Sequence, residues 1–227
     1  MKGSSYLILF GIDALLELLC PLFFPSYSNI RFITKPLLMI LLMFYVYVQK
    51  QVEDKSRIIL ALIFAWMGDV FLMIPGNDPL YFQLGLGSFL LMQISYISLF
   101  IRHFVAGKPL PKSYIYLSLA LIVGYVVIFL NFLLPHILLR LQFPVIIYAI
   151  ALGSMLYFAL MRQANSDKKN FTFIAFGAFF FVVSDSLLAF GKFYYSFPGN
   201  SFLVMFTYII SQLLLIKGLV TFVPFNK

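Results

Sequence analysis

Apolar residues occupy this chain in long uninterrupted runs. They show neither the alternation of a half-buried strand nor the stripe of an amphipathic helix. Each run is about 20 residues long, enough to cross a ~30 Å hydrocarbon core as a helix. Eight helices are predicted, over about 5–24, 32–49, 57–75, 80–103, 113–134, 140–161, 170–191 and 200–222. Short polar breaks rich in turn formers separate them: Pro25–Asn29, Gln51–Lys55, Pro75–Asp78, Gly107–Pro109, Asn165–Lys169 and Pro198–Asn200. The faintest break is Leu133–Leu141, marked only by His136 and Arg140; without it the fifth and sixth runs merge and seven spans remain. No loop can hold a separate domain. The expectation is an all-α polytopic transmembrane bundle of about eight spans, with residues 1–227 as a single transmembrane domain.

Composition agrees. Hydrophobic residues make up 63% of the chain and charged residues 11%, against about 25% charged in soluble domains. The net charge of +8 does not indicate nucleic acid, because no soluble domain or Lys/Arg stripe carries a phosphate-binding surface. The charge reports orientation instead. With the N-terminus in the cytoplasm, that side holds eleven basic residues, including Lys50, Lys55, Arg57, Lys112, Arg162, Lys168 and Lys169; the other holds Arg31, Lys35, Arg140 and Lys192. This asymmetry predicts both termini inside, in a multi-pass protein expected in a bacterial inner membrane. The lone Cys20 excludes an internal disulfide and a cysteine metal cluster. The first run lacks a small-x-small cleavage site and leads into further spans, so it reads as the first helix.

Two aspartates stand out inside the apolar runs: Asp69, in Gly68-Asp69-Val70-Phe71-Leu72, and Asp185, in Ser184-Asp185-Ser186-Leu187-Leu188. A carboxylate at the centre of a bilayer costs roughly 3 kcal/mol on insertion scales, so such residues usually serve a function. The topology places both in the outer half of the membrane. Each is followed by a span with a central glutamine, Gln93 or Gln212, at spacings of 24 and 27 residues. A 4+4 pseudo-repeat fits this echo.

Lys35 opens the second span from the same side, and Asp13 and Glu17 share one face of the first. Tyr208 and Gln212 share a face of the eighth, Gln93 and Tyr96 lie on one side of the fourth, and Ser184 and Ser186 flank Asp185. These groups suffice for one interior cavity opening outward. The structural alternative is helix packing: Lys35 pairs with a carboxylate, and the glutamines and tyrosines supply interhelical hydrogen bonds. Carboxyls in a low-dielectric cavity divide the roles of acid and base. That suits hydrolysis without a covalent nucleophile, and equally proton-coupled transport of a lipid or small solute. A non-catalytic lipid-binding protein is a third reading. A catalytic zinc is not expected, because His103 and His136 sit at span ends, and no Gly-x-Ser-x-Gly elbow offers a serine nucleophile.

The chain resembles the lysoplasmalogenase (YhhN-like) family of integral membrane proteins. The resemblance rests on Lys35-Pro36-Leu37, the run Phe64–Met73 with its Gly68-Asp69, and Phe82, Gly85, Ser88, Phe89, Leu90, Tyr96 and Phe100 in the fourth span. It continues through Gly177, the segment Ser184–Ala189, and Tyr208, Gln212, Leu213 and Gly218. It implies a bundle of about eight transmembrane helices without a cofactor. The implied activity is hydrolysis of the vinyl ether bond of a lysoplasmalogen, with a lysophospholipid as substrate and membrane lipid as surroundings. It maps the family's aspartates onto Asp69 and Asp185 and its lysine onto Lys35. A mechanism consistent with both the residues and the resemblance is expected, in which one protonated aspartate acts as acid while the other carboxylate stabilises the cation and orients water. Lys35 and Lys192 are expected to hold the phosphate, and Glu17, Gln93, Tyr96, Ser186, Tyr208 and Gln212 to line the substrate. At Gln93 the chain departs from the family, where many relatives carry histidine; a glutamine cannot serve as a base near pH 7.

Overall fold

The computed structural model describes residues 3–23, 29–74, 79–103, 109–164 and 167–222. All eight expected helices are present: α1 (Gly3–Phe23), α2 (Arg31–Val48), α3 (Lys55–Met73), α4 (Pro79–Arg102), α5 (Lys112–Leu133), α6 (Leu139–Met161), α7 (Lys168–Phe193) and α8 (Asn200–Val220). All are long and apolar enough to cross a membrane, and the described residues contain no strand. In hydrocarbon a helix satisfies its backbone internally, which is why uniform apolar runs become helices.

The faint break is real. α5 stops at Leu133, and Leu134–His136 form a single 3-10 turn carrying Pro135, whose ring nitrogen cannot donate to the preceding turn. Gln142 ties this turn to α6, its Nε2 donating to Leu134 O at 3.1 Å and Ile137 O at 3.2 Å. Elsewhere, Asp167 caps α7 by accepting from Asn170 N at 3.1 Å. Gly199, at φ 86°, gives α8 its left-handed entry. The expected breaks at 25–28, 75–78, 107–108 and 165–166 lie outside the described residues.

The chain divides into two compact units, Met1–Ser95 and Tyr96–Lys227, with the division inside α4. In the first unit α2 packs against both α1 and α3. Leu38, Leu42 and Val46 form its buried stripe, and Ile58, Ala61, Leu62 and Ala65 line the buried face of α3. α3 and α4 approach closely at small residues. A Cβ on Gly68 would stand 2.7 Å from the Phe89 ring, and one on Gly85 would stand 2.7 Å from Leu72.

In the second unit α7 and α8 are the most intimate pair. A Cβ on Gly177 would lie 2.9 Å from the backbone nitrogen of Leu215, and Asn170 Nδ2 donates to Gly218 O. The α8 span is the most buried in the chain, at 61%, and the α5 span the least, at 17%; α5 therefore offers the most surface to lipid. At one end of this unit Arg162 is fully buried. Its guanidinium lies over the Phe222 ring at 4.8 Å and Phe100 at 5.6 Å, and donates to His103 Nδ1 at 2.7 Å and Asn170 Oδ1 at 3.1 Å. Arginine has no acceptor, so His103 Nδ1 presents a lone pair here. Burial lowers the guanidinium pKa to about 10, which leaves it a cation at neutral pH. Its site lies where α4, α6 and α8 end, and helix C-termini favour positive charge.

Gly177 and Gly124 should respond oppositely to alanine. Nothing lies within 4 Å of a Cβ on Gly124, so G124A is expected to be neutral or stabilising by up to about 1 kcal/mol from helix propensity. G177A should cost about 1–3 kcal/mol, because the Leu215 backbone cannot yield. Thermal unfolding of the two variants in one detergent compares them directly.

Candidate functional site

The polar groups of each unit are best taken separately. In the first, α2 carries Arg31 and Lys35 one helical turn apart. Arg31 Nε meets Glu17 Oε1 of α1 at 2.9 Å, and Thr34 Oγ1 donates to Glu17 Oε2 at 2.5 Å. Lys35 Nζ lies 3.4 Å from Asp69 Oδ1 of α3, with the lysine side chain 14% and the aspartate 1% exposed. One end of α2 thus binds a carboxylate from each neighbouring helix. Asp13, one turn before Glu17, is buried, and its Oδ2 has no hydrogen-bond partner among the described residues. Gln93 is fully buried, with neither side-chain amide atom partnered among the described residues.

In the second unit Asp185 is half-buried on α7. Tyr148 of α6 donates its phenol to Asp185 Oδ2 at 2.5 Å. Beside it Ser186 is hydrogen-bonded to Tyr125 of α5 and donates to Val182 O at 2.5 Å. Ser184 Oγ donates to Val204 O at 3.0 Å, fixing this part of α7 to α8. Tyr96 Oη donates to Gln212 Oε1 at 2.8 Å, with both residues buried. Tyr208 is buried with its ring 6.2 Å from Phe181. Lys192 is exposed in the last turn of α7.

A groove of about 720 Å³ runs between α5, α6 and α7. Its walls are almost wholly apolar, with Leu117, Leu121, Leu156, Phe179, Val183 and Leu187 among them. Ser186 and Tyr125 line it as well, so the Asp185 neighbourhood borders the groove. The volume lies within the roughly 300–1,000 Å³ usual for small-molecule sites.

Several of the anticipated residues therefore acquire partners: Lys35 with Asp69, Tyr96 with Gln212, Glu17 with Arg31 and Thr34. Tyr148 and Tyr125 were not singled out from the sequence. The available signal was a phenol within an otherwise apolar span, where a buried hydroxyl needs a partner. Arg31 and Thr34 precede the Lys-Pro-Leu segment directly, but the sequence does not reveal that Glu17 faces them. Chemically, Asp185 can exchange a proton while Tyr148 orients it, at the border of a space suited to a hydrocarbon chain.

Residues 30–219 match the model of the YhhN family. A segment of 86 residues is 36% identical to a protein of Mus musculus, lysoplasmalogenase TMEM86B. That segment is 38% of this chain and spans about a third, 34%, of the mouse protein's length. No solved structure matches the chain.

Removing Lys35 would take the cation away from a buried carboxylate. K35M is expected to cost about 3 kcal/mol, the lower end for breaking a buried pair. The double variant K35M/D69L should recover most of that loss, since two apolar groups replace the pair. A double-mutant cycle on thermal or denaturant unfolding measures the coupling.

Proposed function

The chain belongs to the YhhN family, and from that premise we propose that it is a membrane hydrolase of lysoplasmalogenase type, cleaving the vinyl ether bond of a lysophospholipid. The observation that carries the reading is the Asp185–Tyr148 pair, 2.5 Å apart, at the border of an apolar groove. The mouse relative named as a lysoplasmalogenase supports the substrate class.

The reaction needs an acid, a water molecule and no cofactor. Asp185 in its protonated form donates to the β-carbon of the vinyl ether, which takes the proton with the π electron pair. An oxygen lone pair forms the oxocarbenium ion, and the carboxylate now present at Asp185 stabilises it. Water adds to the α-carbon and gives its proton to Asp185. In the resulting hemiacetal the protonated Asp185 donates to the glycerol oxygen as its bond to carbon breaks, and the carboxylate so formed takes up the hydroxyl proton, which restores the acid. The products are a fatty aldehyde and a glycerophospho-alcohol. Tyr148 orients the carboxyl through both half-reactions. Gln93 cannot act as a base, so acid and base duty falls to a carboxyl. The family's Gly-Asp and Lys-Pro-Leu positions are Asp69 and Lys35, and both are proposed to contribute to turnover. The apolar lining of the groove favours a lipid chain over a small polar solute, and so disfavours transport of such a solute.

Aldehyde release from a vinyl ether lysophospholipid by the purified protein tests this. D185N should lower kcat by about 10²–10⁴-fold, the usual worth of a general acid–base. Y148F should lower it by a smaller factor, and D69N should also fall below the wild type. Full activity in both D185N and D69N would overturn the proposal.

A further inference from the structure

The groove reaches the neighbourhood of Asp185 through Ser186 and Tyr125, and its polar groups are unevenly distributed. At one end Tyr114 donates to Leu160 O at 3.3 Å and Ser118 donates to Tyr114 O at 2.7 Å. Both hydroxyls are committed to helix carbonyls, and the Tyr114–Leu160 bond joins α5 to α6 across that end. Towards the other end lie Ser186 and Tyr125, with Asp185 beside Ser186 in the chain and Phe129 and Phe190 one turn further on. Lys192 follows Asp185 by seven residues on α7, hence on the same face and about 10 Å further along the axis. From Tyr125 back to Tyr114 the groove follows α5 for about 16 Å, between walls of Leu and Phe. Leu117 and Leu121 are 61% and 65% exposed, so the groove is open sideways along the helix that offers most surface to lipid.

We infer that this groove binds the single hydrocarbon chain of an anionic lysolipid in one register. The linkage lies at Ser186 and Tyr125, the phosphate points towards Lys192, and the terminal methyl reaches the Tyr114–Leu160 closure. Entry is lateral, from the bilayer. The occupant is fixed by the sequence of chemistries along α7 and α5: a cation, then hydroxyls beside a carboxyl, then a long apolar trough with a closed end. A second protein helix would fill the apolar walls but would bring no anion to the end where Lys192 lies. A two-chained phospholipid would need a second trough beside the first. The closed end also acts as a ruler, limiting the chain length that still places the linkage at Asp185. The identification of the linkage as a vinyl ether rests on the proposed function; the chain site and its direction do not.

The test therefore uses an unreactive ligand, a saturated 1-O-alkyl lysophospholipid, and measures binding instead of turnover. Two photoreactive versions carry a diazirine at the terminal carbon or next to the ether oxygen, and the adducts are mapped by peptide mass spectrometry. The terminal probe should label around Tyr114, Leu117 and Leu160, and the proximal probe around Tyr125 and Ser186. Labelling in the opposite order, or spread over all lipid-facing helices as with a diacyl photoprobe, would refute the register.

Native mass spectrometry with short, medium and long alkyl chains adds a second readout. V183W should weaken every chain by about tenfold, through lost apolar contact. L160W at the closed end should weaken the long chain by a similar factor and leave the short one unchanged. Equal affinities for wild type and both variants would refute the chain site. A protein that binds as described yet releases no aldehyde would sink the hydrolase reading and leave this inference standing.

Discussion

A charged or hydrogen-bonding side chain inside a bilayer has no water to turn to, so the protein must supply its partner. That requirement organises this molecule. In the first unit the N-terminal turns of α2 present Arg31 and Lys35, and each engages a carboxylate on a different helix, Glu17 on α1 and Asp69 on α3. Lipid tails are as apolar as leucine, so hydrophobicity alone does not choose which helices meet. Polar pairs with directional geometry do, and α2 becomes the helix that joins α1 to α3. In the second unit Arg162 has the same effect, drawing His103 and Asn170 around one guanidinium where three helices end.

The same constraint makes the two intramembrane aspartates chemically different. Asp69 is 1% exposed on its side chain and faces a lysine ammonium. Asp185 is half-buried, receives a neutral phenol, and has a serine–tyrosine pair beside it. A carboxylate locked to a cation is well suited to fixing structure and field. A carboxyl held by a phenol can change protonation without losing its partner, because tyrosine donates to the carboxylate and can accept from the acid. The residues that look alike in sequence, each following a small residue and leading an aliphatic stretch, therefore have different capacities.

The helices were legible because in lipid the backbone has no alternative to internal hydrogen bonds, so hydropathy alone predicts them. Even the weak break after Leu133 is marked, although its physical basis, Pro135 ending one helix and Gln142 bonding back to the turn, does not show in hydropathy. The family assignment followed from ordered short segments along the spans, and the match over residues 30–219 bears it out. The partners of the site were not legible. Tyr148 is one of 14 tyrosines in a chain 19% aromatic, and nothing in its spacing says that α6 brings it to Asp185. Arg162 reads as one more loop cation that sets orientation, yet it is fully buried. Helix adjacency is a property of packing, and a sequence of uniformly apolar spans carries little of it.

A hydrolase for a membrane lipid must bring water and hydrocarbon to one atom, and these requirements oppose each other. An open aqueous cavity would exclude the chain, while a closed apolar pocket would exclude the water. Under the proposed function, the arrangement around Asp185 meets both by placing the polar groups on one flank of a groove whose remaining walls are apolar. The chain can lie against Leu121, Leu156 and Val183 without desolvating anything polar. Ser186 is already bonded to Val182 O as well as to Tyr125, so the flank stays satisfied when the groove is filled by lipid alone. The carboxyl stays half-buried on the helix that carries Lys192 towards the interface. On this view the partial exposure of Asp185 is what separates it from a packing residue. Full burial like that of Asp69 would hold the helix as well, and would limit the carboxyl to acting through its field instead of by proton transfer.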